Sequence, residues 1–238
     1  VSKVFRIPHE QVTSLRNAFI SVFNRNRTYE EFKALDNVSF EVKKGEFVGI
    51  IGHNGSGKST LLKCLANVYQ ADSGGVMING QVSPFLELGI GFNPELSGRD
   101  NIYLNATILG LTRKEINTKF DNIVTFAKLE RFIDQKVKNY SSGMQGRLAF
   151  SVSIHANRDI LLMDEVLAVG DERFQEKCFN VFKNYKKEGR TVVLVTHDMN
   201  AVREYCDSAI LLHHGQMVLF GDADKVCDEY IFKNLDTQ

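Results

Sequence analysis

A chain of 238 residues is long enough for one large α/β domain with a sizeable core, or for two small ones. Its 29 Lys plus Arg balance 29 Asp plus Glu, which excludes wrapping of nucleic acid, or attachment to an anionic membrane, by charge alone. No apolar run approaches the roughly 20 residues of a membrane-spanning helix and no signal peptide is evident. The four cysteines, Cys64, Cys178, Cys206 and Cys227, form no CxxC pair, so they read as small apolar groups in a reducing setting.

Residues 1–7 alternate as a first strand, and after Pro8 the residues Val12, Leu15, Phe19, Val22 and Phe23 fall at helical spacing. This short amphipathic helix either packs on its own domain or faces a membrane or partner. Residues 24–31 are polar and read as loop. Val38, Phe40 and Val42 alternate as a half-buried strand, Lys43-Lys44-Gly45 turns, and Phe47-Val48-Gly49-Ile50-Ile51 follows as a buried strand.

That strand empties into Gly52-His53-Asn54-Gly55-Ser56-Gly57-Lys58-Ser59-Thr60, and a helix begins near Lys58. Glycines at this spacing let successive backbone N–H groups turn inward on a polyphosphate. The helix start adds its dipole and unpaired N–H groups, Lys58 reaches the terminal phosphates, and Ser59 offers a hydroxyl to Mg²⁺. The pattern predicts a nucleoside triphosphate site.

Further strands are expected near residues 76–78 and 82–86. Residues 88–94 are apolar but broken by Gly89, Gly91 and Pro94, an irregular loop of the kind that marks a contact surface. Helical periodicity fills 99–129, residues 139–145 interrupt it, and Leu148, Phe150, Val152 and Ile154 continue as a buried helix. Ile160-Leu161-Leu162-Met163 then runs into Asp164 and Glu165. A helix over 172–186, a strand over 191–195, a short helix after Asp198 and strands over 209–212 and 217–220 complete the chain. Such alternation predicts a mainly parallel sheet with helices on its faces, interrupted by a helical insertion at about 96–157.

Asp164, at the end of an apolar strand, is placed to hold Mg²⁺ beside the phosphate loop. Glu165 points the other way along the strand and is a candidate to polarise the attacking water. His197 closes the next strand, and parallel strands bring their C-terminal ends to one edge.

The phosphate loop, Tyr140-Ser141-Ser142-Gly143-Met144, Leu161-Leu162-Met163-Asp164-Glu165, Ala168-Val169-Gly170-Asp171 and Thr196-His197-Asp198 occur in an order that resembles the ATP-binding cassette ATPases over nearly the whole chain. The resemblance implies a single P-loop nucleotide-binding domain with a mainly parallel core sheet, an antiparallel β subdomain and a helical subdomain. It implies ATP and Mg²⁺ as cofactors and a head-to-tail homodimer with ATP at the interface. Ser141 and Gly143 would then serve the ATP of the opposite protomer, Asp171 would communicate across the dimer, and His197 would hold the γ-phosphate and attacking water.

The stretch from Phe85 to Ile102, with Leu88, Ile90, Phe92, Asn93 and Pro94, is similar to ATPases that export lipid-linked O-antigen, capsule or teichoic-acid polysaccharides, as is Glu172-Arg173-Phe174-Gln175-Glu176-Lys177-Cys178. That implies a membrane-spanning permease as partner, a peripheral place on the cytoplasmic face of a bacterial inner membrane, and no nucleic acid. O-antigen is the first expectation and capsule or teichoic acid the alternative. A cassette acting on nucleic acid or ribosomes, or a switch-type GTPase, is the rival reading; against the latter, no Asn-Lys-x-Asp segment is present. The carbohydrate-binding domain that follows the core in many O-antigen exporters is not expected within this chain. Residues 88–93 are expected to dock the permease, and the Val12 to Phe23 segment to lie near the membrane. Departures from the family pattern are Glu87 where a metal-contacting glutamine is usual, and Ser142 and Met144 in the signature. Phe5 is the adenine-stacking candidate, with Tyr29 and Phe32 open.

Overall fold

The computed structural model describes residues 1–8, 29–85, 92–156, 158–164 and 170–235. The expected helix through Val12 and Phe23, the loop residues Glu87 to Gly91, Glu165, and Ala168 and Val169 lie outside the described residues.

The chain opens with β1 (Lys3–Pro8), which pairs antiparallel with β2 (Tyr29–Leu35) in a two-stranded ribbon. Then come β3 (Phe47–Ile51), α1 (Lys58–Leu65) and β4 (Val82–Phe85), followed by α2 (Gly98–Ile108), α3 (Arg113–Ala127) and α4 (Ser142–Ala156). Strands and helices then alternate as β5 (Ile160–Asp164), α5 (Glu172–Lys187), β6 (Thr191–Val195), α6 (Met199–Tyr205) and β7 (Ser208–His213). A hairpin into β8 (Gln216–Asp222) leads to α7 (Ala223–Leu235).

The main sheet has the order β4-β5-β6-β3-β7-β8, parallel except for β8 at one edge. Every residue of β3 and β6 is buried, so these strands read as unbroken apolar runs with no alternation, as a sheet covered on both faces requires. One face packs Phe47, Leu161, Met163, Val192 and Leu194 against α4, α5 and α6; the other packs Val48, Ile50, Leu162, Val193 and Val195 against α1.

The block from α2 to α4 encloses its own apolar cluster, built on Ile102, Ile116, Phe120, Ile123, Leu148 and Val152. Helix α4 belongs to both neighbourhoods. Its Phe150 and Ile154 face the sheet-side core while Leu148 and Val152 face the α2–α3 cluster, which is why the sequence there is apolar all round. Caps fix the helix starts: Thr112 and Glu115 form a reciprocal capping box on α3, and Ser97 and Asp198 cap α2 and α6.

Several expectations are corrected. Residues 38–42 and 76–78 form no strand. Val38 exchanges hydrogen bonds with Val1, and Phe40 and Val42 reach the core only in part. Met77 is 97% exposed and Val76 and Ile78 are each 37% exposed, so the apolar run at 76–78 is not packed as a strand would be. Conversely, the polar Tyr29–Leu35 stretch is strand β2: its first five residues are exposed, and pairing with β1, not burial, holds it extended. The break at 139–145 is shorter than expected because α4 already begins at Ser142. Helix α7 was not anticipated. The four cysteines are free and buried, as expected, and burial pushes the Cys178 and Cys206 thiols up to about 12. No helix among the described residues is long and apolar enough to cross a membrane.

Candidate functional site

The C-terminal ends of β5, β6 and β3 lie side by side, in register through Asp164–Val195 and Ile50–Val195. The phosphate loop, Asp164 and His197 therefore emerge at one edge of the sheet, with strands about 4.8 Å apart. β4 runs parallel to β5, so its last residue, Phe85, lies at the same edge.

The loop from Gly52 to Gly57 is shaped by its surroundings. Gly52 has φ 149° and Gly57 φ 105°; a Cβ on Gly52 would strike Leu212 O, and one on Gly57 would stand 2.6 Å from Ala34 O. Only glycine fits these two positions. Gly215 N donates to Ser56 O at 2.9 Å, so the β7–β8 turn braces the loop from behind. The His53 ring stands 5.4 Å from Tyr230 of α7. Lys58, 7% exposed, donates from Nζ to Gly52 O at 2.7 Å and His53 O at 2.9 Å, drawing the loop around its ammonium.

These residues fit a triphosphate. Helix α1 begins on Gly57 with no side-chain cap, leaving its first N–H groups for an incoming anion. Among the described residues the Ser56 hydroxyl is buried without a hydrogen-bond partner and a Cβ on Gly55 would meet nothing within 4 Å, so these residues leave the loop open where phosphate oxygens would enter. Asn54 and Ser59 are exposed and Thr60 half-buried at the same helix start. Ser59 and half-buried Asp164 are the described residues suited to Mg²⁺, as hard oxygen donors near phosphates.

Phe5 lies on the β1–β2 ribbon opposite Phe32, its ring edge-on to Tyr69 at 5.5 Å, while Phe32 and Tyr29 are 48% and 45% exposed. His197 and Asp171 are exposed. Asp171 also caps α5, its carboxylate accepting from Phe174 N at 2.9 Å. Exposed Ser141 accepts from Met144 N at 3.2 Å at the start of α4, and only Ser141 Oγ comes within 4 Å of a Cβ on Gly143. Among the described residues, Ser141 and Ser142 are exposed at that helix start and Gly143 is half-buried.

Sequence reasoning missed the braces: Ala34, Leu212, Gly215 and Tyr230. The His213-His214-Gly215 run between two apolar segments signals a hairpin, but its place against Ser56 depends on β7 pairing with β3, which no local pattern shows. Phe92 also departs from expectation. It is half-buried against both the sheet-side core and the α2–α4 cluster instead of standing exposed for a partner. Phe92→Asp is therefore expected to lose about 2–4 kcal/mol of stability, read as a lower denaturation midpoint, before any effect on a partner is measured.

The sequence profile of the ABC transporter family matches residues 35–168. The chain is 48% identical over 199 residues to the ABC transporter protein AbcA of Aeromonas salmonicida, covering 84% of this chain and 65% of that protein. It is 41% identical over 235 residues to the O-antigen export system ATP-binding protein RfbB of Klebsiella pneumoniae, covering 97% and 94%. With the teichoic acids export ATP-binding protein TagH of Lactococcus lactis it shares 44% over 218 residues, 91% of this chain but 47% of TagH. The chain thus spans less than two thirds of AbcA and under half of this TagH. In fold it is similar to the dimeric ATP-binding cassette MJ0796 bound to ADP and Pi, with a TM-score of 0.72 at 24% identity over 94% of this chain and 99% of that one. The likeness to an ATP-binding subunit of an ABC transporter has a TM-score of 0.74 at 22% identity, covering 97% and 93%.

Proposed function

The chain belongs to the ABC transporter family, and on that premise we propose that it is the ATP-hydrolysing subunit that powers export of a lipid-linked cell-surface polysaccharide. The observation that carries ATP use is the phosphate loop itself: an open hollow lined by an orphaned serine hydroxyl and an uncapped helix start, with a buried lysine at its floor. What supports the polysaccharide is that relatives named for O-antigen and for teichoic-acid export stand at 41% and 44% identity. The two stand equally near; O-antigen is the first polymer to test.

In this reading Gly52 to Thr60 cradle the phosphates and Lys58 neutralises them. Ser59 and Asp164, with Glu87 beyond the described residues, would hold Mg²⁺, which supplies charge neutralisation at the transferred phosphoryl group. Glu165 accepts a proton from the attacking water while His197 orients that water against the γ-phosphate. Phe5 stacks on adenine. Ser141 and Gly143 complete the site of the opposite protomer, a role that fits the exposure of Ser141 and Ser142 at the start of α4. Asp171 lies at the same dimer face. A membrane-spanning permease would hold the dimer at the cytoplasmic face of the membrane.

Purification of the tagged chain in mild detergent tests the transport reading. A multispanning membrane protein recovered in stoichiometric amount is the expected result; ribosomes or DNA in its place would overturn it.

A further inference from the structure

Asn101, in the first turns of α2, is a polar side chain with no solvent exposure. Its Oδ1 accepts from Asn93 N at 2.7 Å, and its Nδ2 donates to Asn93 O at 3.0 Å, Ser97 O at 2.9 Å and Leu96 O at 3.3 Å. One amide thus holds the turn over 93–97 closed, using its acceptor and both donor hydrogens. An apolar residue could fill the same space without the cost of burying an amide, so the polar group is there for the geometry it imposes.

That turn grips the segment in front of the signature. Gly98 N donates to Gln135 O, Arg99 N to Ile133 O, Val137 N to Leu96 O and Lys138 N to Pro94 O, all at 2.8–3.0 Å. Glu95 pairs with Lys136 at 3.2 Å and Lys138 at 3.1 Å, and Arg99 with Asp134 at 2.7 Å. Tyr140, which directly precedes Ser141, donates its hydroxyl to Phe132 O at 2.7 Å, and burial pushes this phenol up to about 12, so it remains a donor. A Cβ on Gly98 would run into that hydroxyl. Gln145, in the first turn of α4, donates to Val137 O at 3.3 Å. Hydrogen bonds and packing contacts are therefore continuous from Asn101 to the start of α4.

We infer that Asn101 is a positioning residue for the signature: by closing the 93–97 turn it sets where Ser141 and Gly143 stand when they meet the other protomer's ATP. The inference rests on the head-to-tail dimer of the proposed function. It predicts a separation that general support of the fold does not. Binding of ATP to a single protomer uses the phosphate loop, which supplies no partner to the hydrogen bonds of this network, whereas ATP-driven dimerisation uses the signature.

The test is made in the Glu165→Gln background, which retains ATP. Asn101→Leu should leave single-protomer ATP affinity within about twofold and move the protein concentration needed for ATP-driven dimerisation upward by about tenfold or more. Gly98→Ala, which leaves Asn101 intact and pushes on Tyr140, should do the same, and adding Tyr140→Phe should restore part of the loss. Unchanged dimerisation in both variants would overturn the inference while leaving the dimer reading standing. So would an equal loss of ATP affinity, which marks a fold-wide effect. A Glu165→Gln parent that binds ATP yet stays monomeric would overturn the dimer reading and this inference together.

Discussion

Glu165→Gln should lower the rate of ATP hydrolysis by about 10²–10⁴-fold while ATP affinity survives. The substitution keeps size and hydrogen-bonding capacity but removes the carboxylate that would accept the water's proton. Glu165 follows Asp164 in the sequence, and Asp164 is the last residue of β5, which only β6 separates from the phosphate-loop strand β3. With ATP bound and uncleaved, the signature segments of two protomers should stay closed over it. A stable ATP-dependent dimer should then appear by size-exclusion chromatography or scattering. Turnover at the unmodified rate would remove Glu165 from the catalytic role and leave His197 as the leading candidate.

Lys58→Ala should act one step earlier. The ammonium is buried at the floor of the loop and bridges two carbonyls at 2.7 and 2.9 Å, so its loss removes both a positive charge facing the phosphates and the contacts that hold the loop closed. Charge-assisted hydrogen bonds contribute about 1.5–3 kcal/mol each, and losing those made to phosphate should weaken ATP binding by about 10²-fold or more. No ATP-driven dimer should form, even in the Glu165→Gln background. The pair of variants separates roles: one binds and does not cleave, the other does not bind. Calorimetric titration with ATP measures the difference, and wild-type affinity in Lys58→Ala would refute the placement of this lysine on the phosphates.

The parts of the fold that the sequence disclosed are those whose physics is local or doubly buried. β3, β5 and β6 read as apolar runs because both faces are covered, and the glycine loop into α1 is legible because Gly52 and Gly57 need conformations that other residues resist. What stayed hidden depends on distant partners. β2 is exposed along most of its length and is extended only because β1, more than twenty residues earlier, pairs with it. The alternation at 38–42 and the apolar run at 76–78 looked like strand but form none. At the site, the order of the phosphate loop, Asp164 and His197 along the chain was enough to place them at one sheet edge. The braces were not: Leu212 against Gly52, Gly215 on Ser56 and Tyr230 beside His53 are brought in by β7 and α7. Asn101 read only as one more position in a helical stretch, because its four hydrogen bonds exist only once the 93–97 turn has folded over it.

The central claim, that ATP use by this chain drives polysaccharide export, is tested most directly in cells from which it has been deleted. Surface polysaccharide and its lipid-linked intracellular precursor are measured together after complementation with the wild-type chain or with Lys58→Ala. The account predicts that deletion removes the surface polymer and accumulates the precursor inside, that the wild-type chain reverses both, and that Lys58→Ala reverses neither. Normal surface polysaccharide in the deletion strain, or full rescue by Lys58→Ala, would contradict it.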